Sequence, residues 1–89
     1  MNPNETLYTW SDMPVHLQAY VLGVFHANIR LMKGTATLDT LARIFNLGNP
    51  EIVIGKNQPD GGGECQLPYC RIEGERSINV MKILFTNYL

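Results

Sequence analysis

The stretch from Met13 to Gly34, MPVHLQAYVLGVFHANIRLMKG, is the longest apolar-rich run in the chain and constrains the fold more than any other segment. Its spacing predicts one long helix over about residues 13–33. Ser11 or Asp12 can cap the start, Pro14 fits a first turn where no backbone donor is needed, and Gly34 supplies a stop. Arg30 and Lys33 fall in the last turn, where cations favour the helix dipole.

At about 100° per residue, Val15, Leu22, Phe25, Ile29 and Met32 form one apolar strip. Leu17, Val21, Val24 and Leu31 form a second strip beside it, widened by Tyr20 and Ala27. The remaining arc is narrow and holds His16, Gly23, His26, Arg30 and Lys33, with Ala19 among them. A helix apolar over more than half its circumference is packed on two sides. This segment is therefore expected to be the central helix, with Val21, Leu22, Val24, Phe25 and Ile29 buried and Arg30 and Lys33 exposed. It is long enough to cross a bilayer, but His16, Gln18, His26, Asn28, Arg30 and Lys33 argue against a membrane span. The first ten residues, MNPNETLYTW, show neither a basic n-region nor an apolar h-region, so the expected location is the cytoplasm.

Thr37 can cap a second helix over about residues 38–47, with Asp39 in its first turn and Leu38, Leu41, Ala42, Ile44 and Phe45 as its buried face. The short link between the two helices predicts an αα-hairpin or corner. Asn49-Pro50 ends the pattern. Ile52-Val53-Ile54 are consecutive β-branched residues bounded by Pro50 and Gly55, so residues 51–55 read as a short strand, with a short helix as the competing reading. KNQPDGGGE, from Lys56 to Glu64, is a loop. Residues 66–73 read as extended, with Pro68 favouring an edge position. The expected sheet is a two-stranded element pairing 51–55 with 69–73, and Gly74-Glu75 forms a turn.

In the tail, Ile78, Met81, Leu84, Phe85 and Tyr88 share one helical face while strict alternation fails. That pattern predicts a helix over about residues 77–88, capped by Ser77, rather than a strand. Residues 1–9 are polar and read as flexible or extended, with Leu7, Tyr8 and Trp10 docking back on the core. The fold class is α+β, a single small domain of 89 residues. Hydrophobic residues at 45% and charged residues at 17% argue against disorder.

The net charge of −1 gives no whole-chain case for nucleic-acid or polybasic membrane contact. Cys65 and Cys70 lack the C-x-x-C spacing of zinc ribbons and thioredoxin-like sites and are expected to be free thiols. With His16 and His26 they make a two-Cys, two-His set by count. The histidines, however, lie about 80° apart and nearly three turns distant on one helix, too far to share a tetrahedral zinc. No metal and no cofactor are expected. Gly61-Gly62-Gly63 is neither a dinucleotide fingerprint nor a P-loop. The acids Glu5, Asp12, Asp39, Glu51, Asp60, Glu64, Glu73 and Glu75 all fall in caps, turns or loops, as solvated acids do.

The residues support three functional readings. Residues 37–54 have the rhythm of a helix and turn, within the 37–57 span a regulator would use, with Ala42 at the helix crossing, Asn46 able to take the left-handed turn conformation and Leu47 buried after it. This stretch resembles the DNA-binding helix-turn-helix families over about 18 residues. Its recognition segment, Asn49 to Asn57, offers only Lys56 as a cation, beside Glu51, so a transcriptional regulator is the alternative and nucleic acid is not the favoured partner. A small cysteine-dependent enzyme pairing Cys65 or Cys70 with His26 is the second alternative. The expected function is a non-enzymatic binding module that associates stoichiometrically with a macromolecular partner, foremost a protein. In size and style the chain resembles accessory or phage-encoded inhibitors and modulators. Candidate contacts are Arg30 and Lys33 at the helix end, and Lys56, Asn57 and Asp60 in the loop. Tyr69, Arg71, Glu73 and Arg76 surround the Gly74 turn, and interfaces favour tyrosine and arginine.

Overall fold

The computed structural model describes residues 3–56 and 68–87. In chain order the elements are β1 (Glu5–Thr9), a 3₁₀ turn (Trp10–Asp12), α1 (Val15–Leu31), α2 (Leu38–Gly48), β2 (Glu51–Lys56), β3 (Pro68–Glu73) and α3 (Glu75–Asn87). The α+β class is as expected, but the sheet has three strands, not two, in the order β1-β2-β3 and antiparallel throughout. The extra strand is β1, formed by residues expected to be flexible or extended. Thr6, Tyr8 and Thr9 favour a pleated conformation, and a two-stranded hairpin is marginal on its own. β1 closes the second edge of β2, with Tyr8 opposite Ile52 and Thr6 opposite Ile54. Along one face of the sheet run Tyr8, Ile52 and Ile72 in one row and Thr6, Ile54 and Cys70 in the next. That face packs on the helices: Ile52 is buried, and Tyr8, Ile54, Cys70 and Ile72 lie against the core.

The central helix is α2, not α1. Thr37 caps it as expected, its Oγ1 accepting the Thr40 amide at 3.2 Å. Leu41, Ile44 and Phe45 are buried, and α1, α3 and the 3₁₀ turn all pack against this helix. Leu38, expected in the buried face, is exposed. The Phe45 ring meets Trp10 edge-on at 4.9 Å and Phe25 at 5.3 Å between centroids. Trp10 is in turn tied down by its indole Nε1, which donates to Asn46 Oδ1 at 2.7 Å, and by its amide, which donates to the Pro50 carbonyl at 2.9 Å. Gly48 allows α3 to come close, because a Cβ there would sit 2.5 Å from Val80 Cγ2.

α2 ends at Asn49, whose φ of 45° is left-handed. The sequence points to Asn46 for that role, but Asn46 is helical and occupied with Trp10. Asn49 gathers three elements: its amide donates to the Phe45 carbonyl, its Oδ1 accepts from the Ser11 amide, and its carbonyl accepts from Arg76. Beyond Pro50 the chain enters β2. Residues 37–56 are thus a helix and a strand, and the second helix of a helix-turn-helix does not form over Glu51–Lys56.

α1 starts at Val15 with Pro14 as its N-cap, while Ser11 and Asp12 are held in the 3₁₀ turn. Only Val21 and Ile29 of α1 are buried, Leu22, Val24 and Phe25 are half-buried, and Val15 and Leu31 are exposed. Arg30 and Lys33 are exposed as expected. At its C-terminus Lys33 donates to the Arg30 carbonyl at 3.0 Å and Gly34 to the Ile29 carbonyl at 2.8 Å, the paired bonds of a Schellman motif. The left-handed residue is Lys33, with φ 61°, and not Gly34. A side chain is strained there. Lys33→Gly should therefore raise stability by about 0.5–1 kcal/mol in urea unfolding, the relief of strain being partly offset by the freer unfolded chain.

α3 begins before Ser77, which donates through Oγ to the Gly74 carbonyl instead of capping the helix. Val80 and Leu84 are its buried residues and Met81 is half-buried. Ile78 and Phe85, expected on the buried face, are exposed.

Candidate functional site

The outer face of the sheet brings Tyr69, Arg71 and Glu73 together, as their alternation along β3 requires. Register places Glu5 beside Gly55 and Gly55 beside Tyr69, with Leu7, Val53 and Arg71 in the next row. Tyr69 crosses above Gly55 and donates its hydroxyl to Glu5 Oε2. A Cβ on Gly55 would meet Tyr69 Cζ at 2.4 Å, so only glycine lets the ring lie there. Arg71 donates bidentately to Glu5, at 2.6 and 3.2 Å, and through Nε to Glu73 Oε1 at 2.9 Å. The Glu5 side chain is 2% exposed and that of Arg71 44%. Beneath this polar layer Val53 is fully buried, although it points away from the helices.

Glu5 is the organising residue of this cluster, although its sequence context is that of a solvated acid. Its burial arises from strand pairing across the whole chain, and no local pattern marks it. The cluster satisfies itself: Arg71 lies between two carboxylates, and Tyr69 uses its proton on Glu5. The guanidinium is held well above its usual value by Glu5 and then Glu73. The hydrogen bond to Glu5, then burial, raise the Tyr69 phenol. A raised phenol contributes stability that is complete below pH 10.0 and is lost as pH rises through the folded value. The Cys70 thiol, raised above 9.0 by burial, contributes with the same sign, starting lower. Urea unfolding between pH 8 and 11 should show stability falling at the alkaline end, with a shallower fall above pH 10 in Tyr69→Phe.

The other expected contacts do not join this cluster. Arg30 and Lys33 are on and just beyond α1, Lys56 ends β2 on the opposite face of the sheet, and Arg76 lies in the first turn of α3 with its guanidinium on the Asn49 carbonyl. Asn57, Asp60, Cys65 and the glycine run lie outside the described residues. Cys70 sits on the helix-facing side of the sheet, and the upward shift of its thiol is the reverse of what a nucleophile needs. Among the described residues no group of His, Cys, Asp or Glu is placed to hold a metal ion, and no helix is long and apolar enough to cross a membrane.

A second site, absent from the expected contacts, lies between α1 and α3. Phe25, Ile29 and Met32 form one wall and Met81, Leu84 and Phe85 the other, enclosing a cavity of about 150 Å³ beside Asn28. Its floor is closed, with Ile29 3% and Leu84 2% exposed, while Met32 is 57% and Phe85 51% exposed. The helical periodicity of both segments identifies these side chains as a face to be covered. In the structure the strip of α3 facing the core is Val80-Leu84, and the neighbouring line Ile78-Met81-Phe85 is left partly open. The apolar pattern is the signal the sequence carries; that the cover is missing is not in it. No family model, curated protein or solved structure matches the chain.

Proposed function

We propose that the protein is a non-enzymatic binding module that associates stoichiometrically with another protein through the α1–α3 cleft. The observation that carries this reading is the half-open apolar cleft itself: Met32 and Phe85 are exposed on the walls of a cavity whose floor is buried. Apolar residues scattered singly over a surface need no explanation, but a contiguous concave set marks a contact site. The Glu5–Tyr69–Arg71–Glu73 layer supports the same choice by contrast, because its polar groups are already engaged with one another. Cys70 packs against the core on the helix-facing side of the sheet with its thiol raised by burial, which argues against Cys70 as a nucleophile.

Affinity capture from the source cells tests the proposal. The wild-type chain should retain one protein at near-equal molar ratio, and Phe85→Glu should retain at least about tenfold less while melting at a similar temperature. Equal retention by the two chains, or none by either, would overturn it.

A further inference from the structure

We infer that the occupant of the α1–α3 cleft is an amphipathic helix carrying acidic residues beside its apolar face; this rests on the reading of the chain as a protein-binding module. The walls are two helices, whose backbone groups are spent on their own hydrogen bonds, and among the described residues Asn28 is the one polar side chain lining the cavity. An extended segment placed there would find no backbone partners for its amides and carbonyls. A helix brings its own backbone already satisfied and needs only an apolar face. From Phe25 to Met32 the α1 wall runs roughly 10 Å, which matches anchors at positions i, i+3 or i+4, and i+7.

Charge selects among such helices. From Met13 to Leu38 and from Arg76 to Leu89 the sequence contains no Asp or Glu. The charged side chains of those two segments are Arg30, Lys33, Arg76 and Lys82. Arg30 lies with His26, Ala27 and Leu31 on another face of α1, and Lys33 and Lys82 are exposed, each next in sequence to a methionine that lines the cavity. A helix is about 10 Å across, comparable with the Debye length at physiological salt, so their field reaches an incoming segment. The same count disfavours a second copy of this chain, whose α1 has no acid and whose α3 has only Glu75, in its first turn, so that Lys33 and Lys82 would meet like charge across a two-fold axis. The recessed floor disfavours a bilayer, which as a flat surface reaches Met32 and Phe85 but not Ile29 and Leu84.

The test is a display library of helical peptides, unbiased in charge, selected on the immobilised full chain and counter-selected on Phe85→Glu. Met32→Glu serves as the second counter-selecting variant should Phe85→Glu melt early. Surviving peptides should have apolar residues spaced for one helical face and a net negative charge. Replacing the acids of a synthetic survivor with lysine should weaken binding at least about tenfold. Survivors that are basic or extended, or that bind Phe85→Glu equally well, overturn the inference and leave the binding-module reading standing. A selection with no survivors also overturns it, and affinity capture then decides the broader reading separately. Co-sedimentation with phosphatidylcholine–phosphatidylserine vesicles that Phe85→Glu abolishes would assign the face to a membrane. A dimer in sedimentation equilibrium that Phe85→Glu dissociates would assign it to a second copy. Either result overturns the acidic helix.

Discussion

Phe45→Ala should lower stability by about 3–5 kcal/mol, the range for truncating a buried aromatic ring. Phe45 is fully buried on the helix that α1, α3 and the 3₁₀ turn share. Its ring is also the shared partner of two edge-on contacts, to Trp10 on one side and Phe25 on the other. Truncation leaves a cavity that its neighbours cannot fill without moving, since Trp10 is fixed by its bond to Asn46 and Leu41 is itself fully buried. A domain of this size has a total stability of about 5–15 kcal/mol, so the variant should be largely unfolded or melt far below the wild type. Urea titration followed by circular dichroism checks this, and a loss under about 1 kcal/mol would show that Phe45 is not the centre of the core.

Gly48→Ala should cost about 1–3 kcal/mol, although alanine is the better helix former. The added methyl would lie 2.5 Å from Val80 Cγ2. Val80 is fully buried and β-branched, with little freedom to turn aside. The backbones of α2 and α3 must then separate. If that close approach is the cause, the double variant Gly48→Ala with Val80→Ala should be more stable than the sum of the single effects by at least about 0.5 kcal/mol. Strict additivity in the four-member cycle would place the cost elsewhere.

Elements whose signals are local are legible in the sequence. Thr37 and the apolar spacing of Leu41, Ile44 and Phe45 define α2, and the β-branched run between Pro50 and Gly55 defines β2. β1 is not legible as a strand because its partner is distant: Glu5 pairs with Gly55, and nothing near residue 5 announces it. The breadth of apolar surface on the Met13–Gly34 segment suggests centrality. It is better explained as a helix with one side on α2 and another facing the cleft. Two strips on a wheel reveal that two surfaces want covering and not which element covers them. The same limit applies to the polar cluster. Tyr69, Arg71 and Glu73 stand out from their own neighbourhood, whereas the Glu5 carboxylate that unites Tyr69 and Arg71 comes from the far end of the chain.

Trp10 is the only tryptophan in the sequence. It is buried where the first strand, the central helix and the start of β2 meet, held by Asn46 and by the Pro50 carbonyl. The chain therefore carries an intrinsic optical reporter at the joint where its N-terminal segment locks onto the rest. A blue-shifted emission registers that joint closed, and a red shift at low denaturant, ahead of the loss of helix signal, would register β1 leaving first.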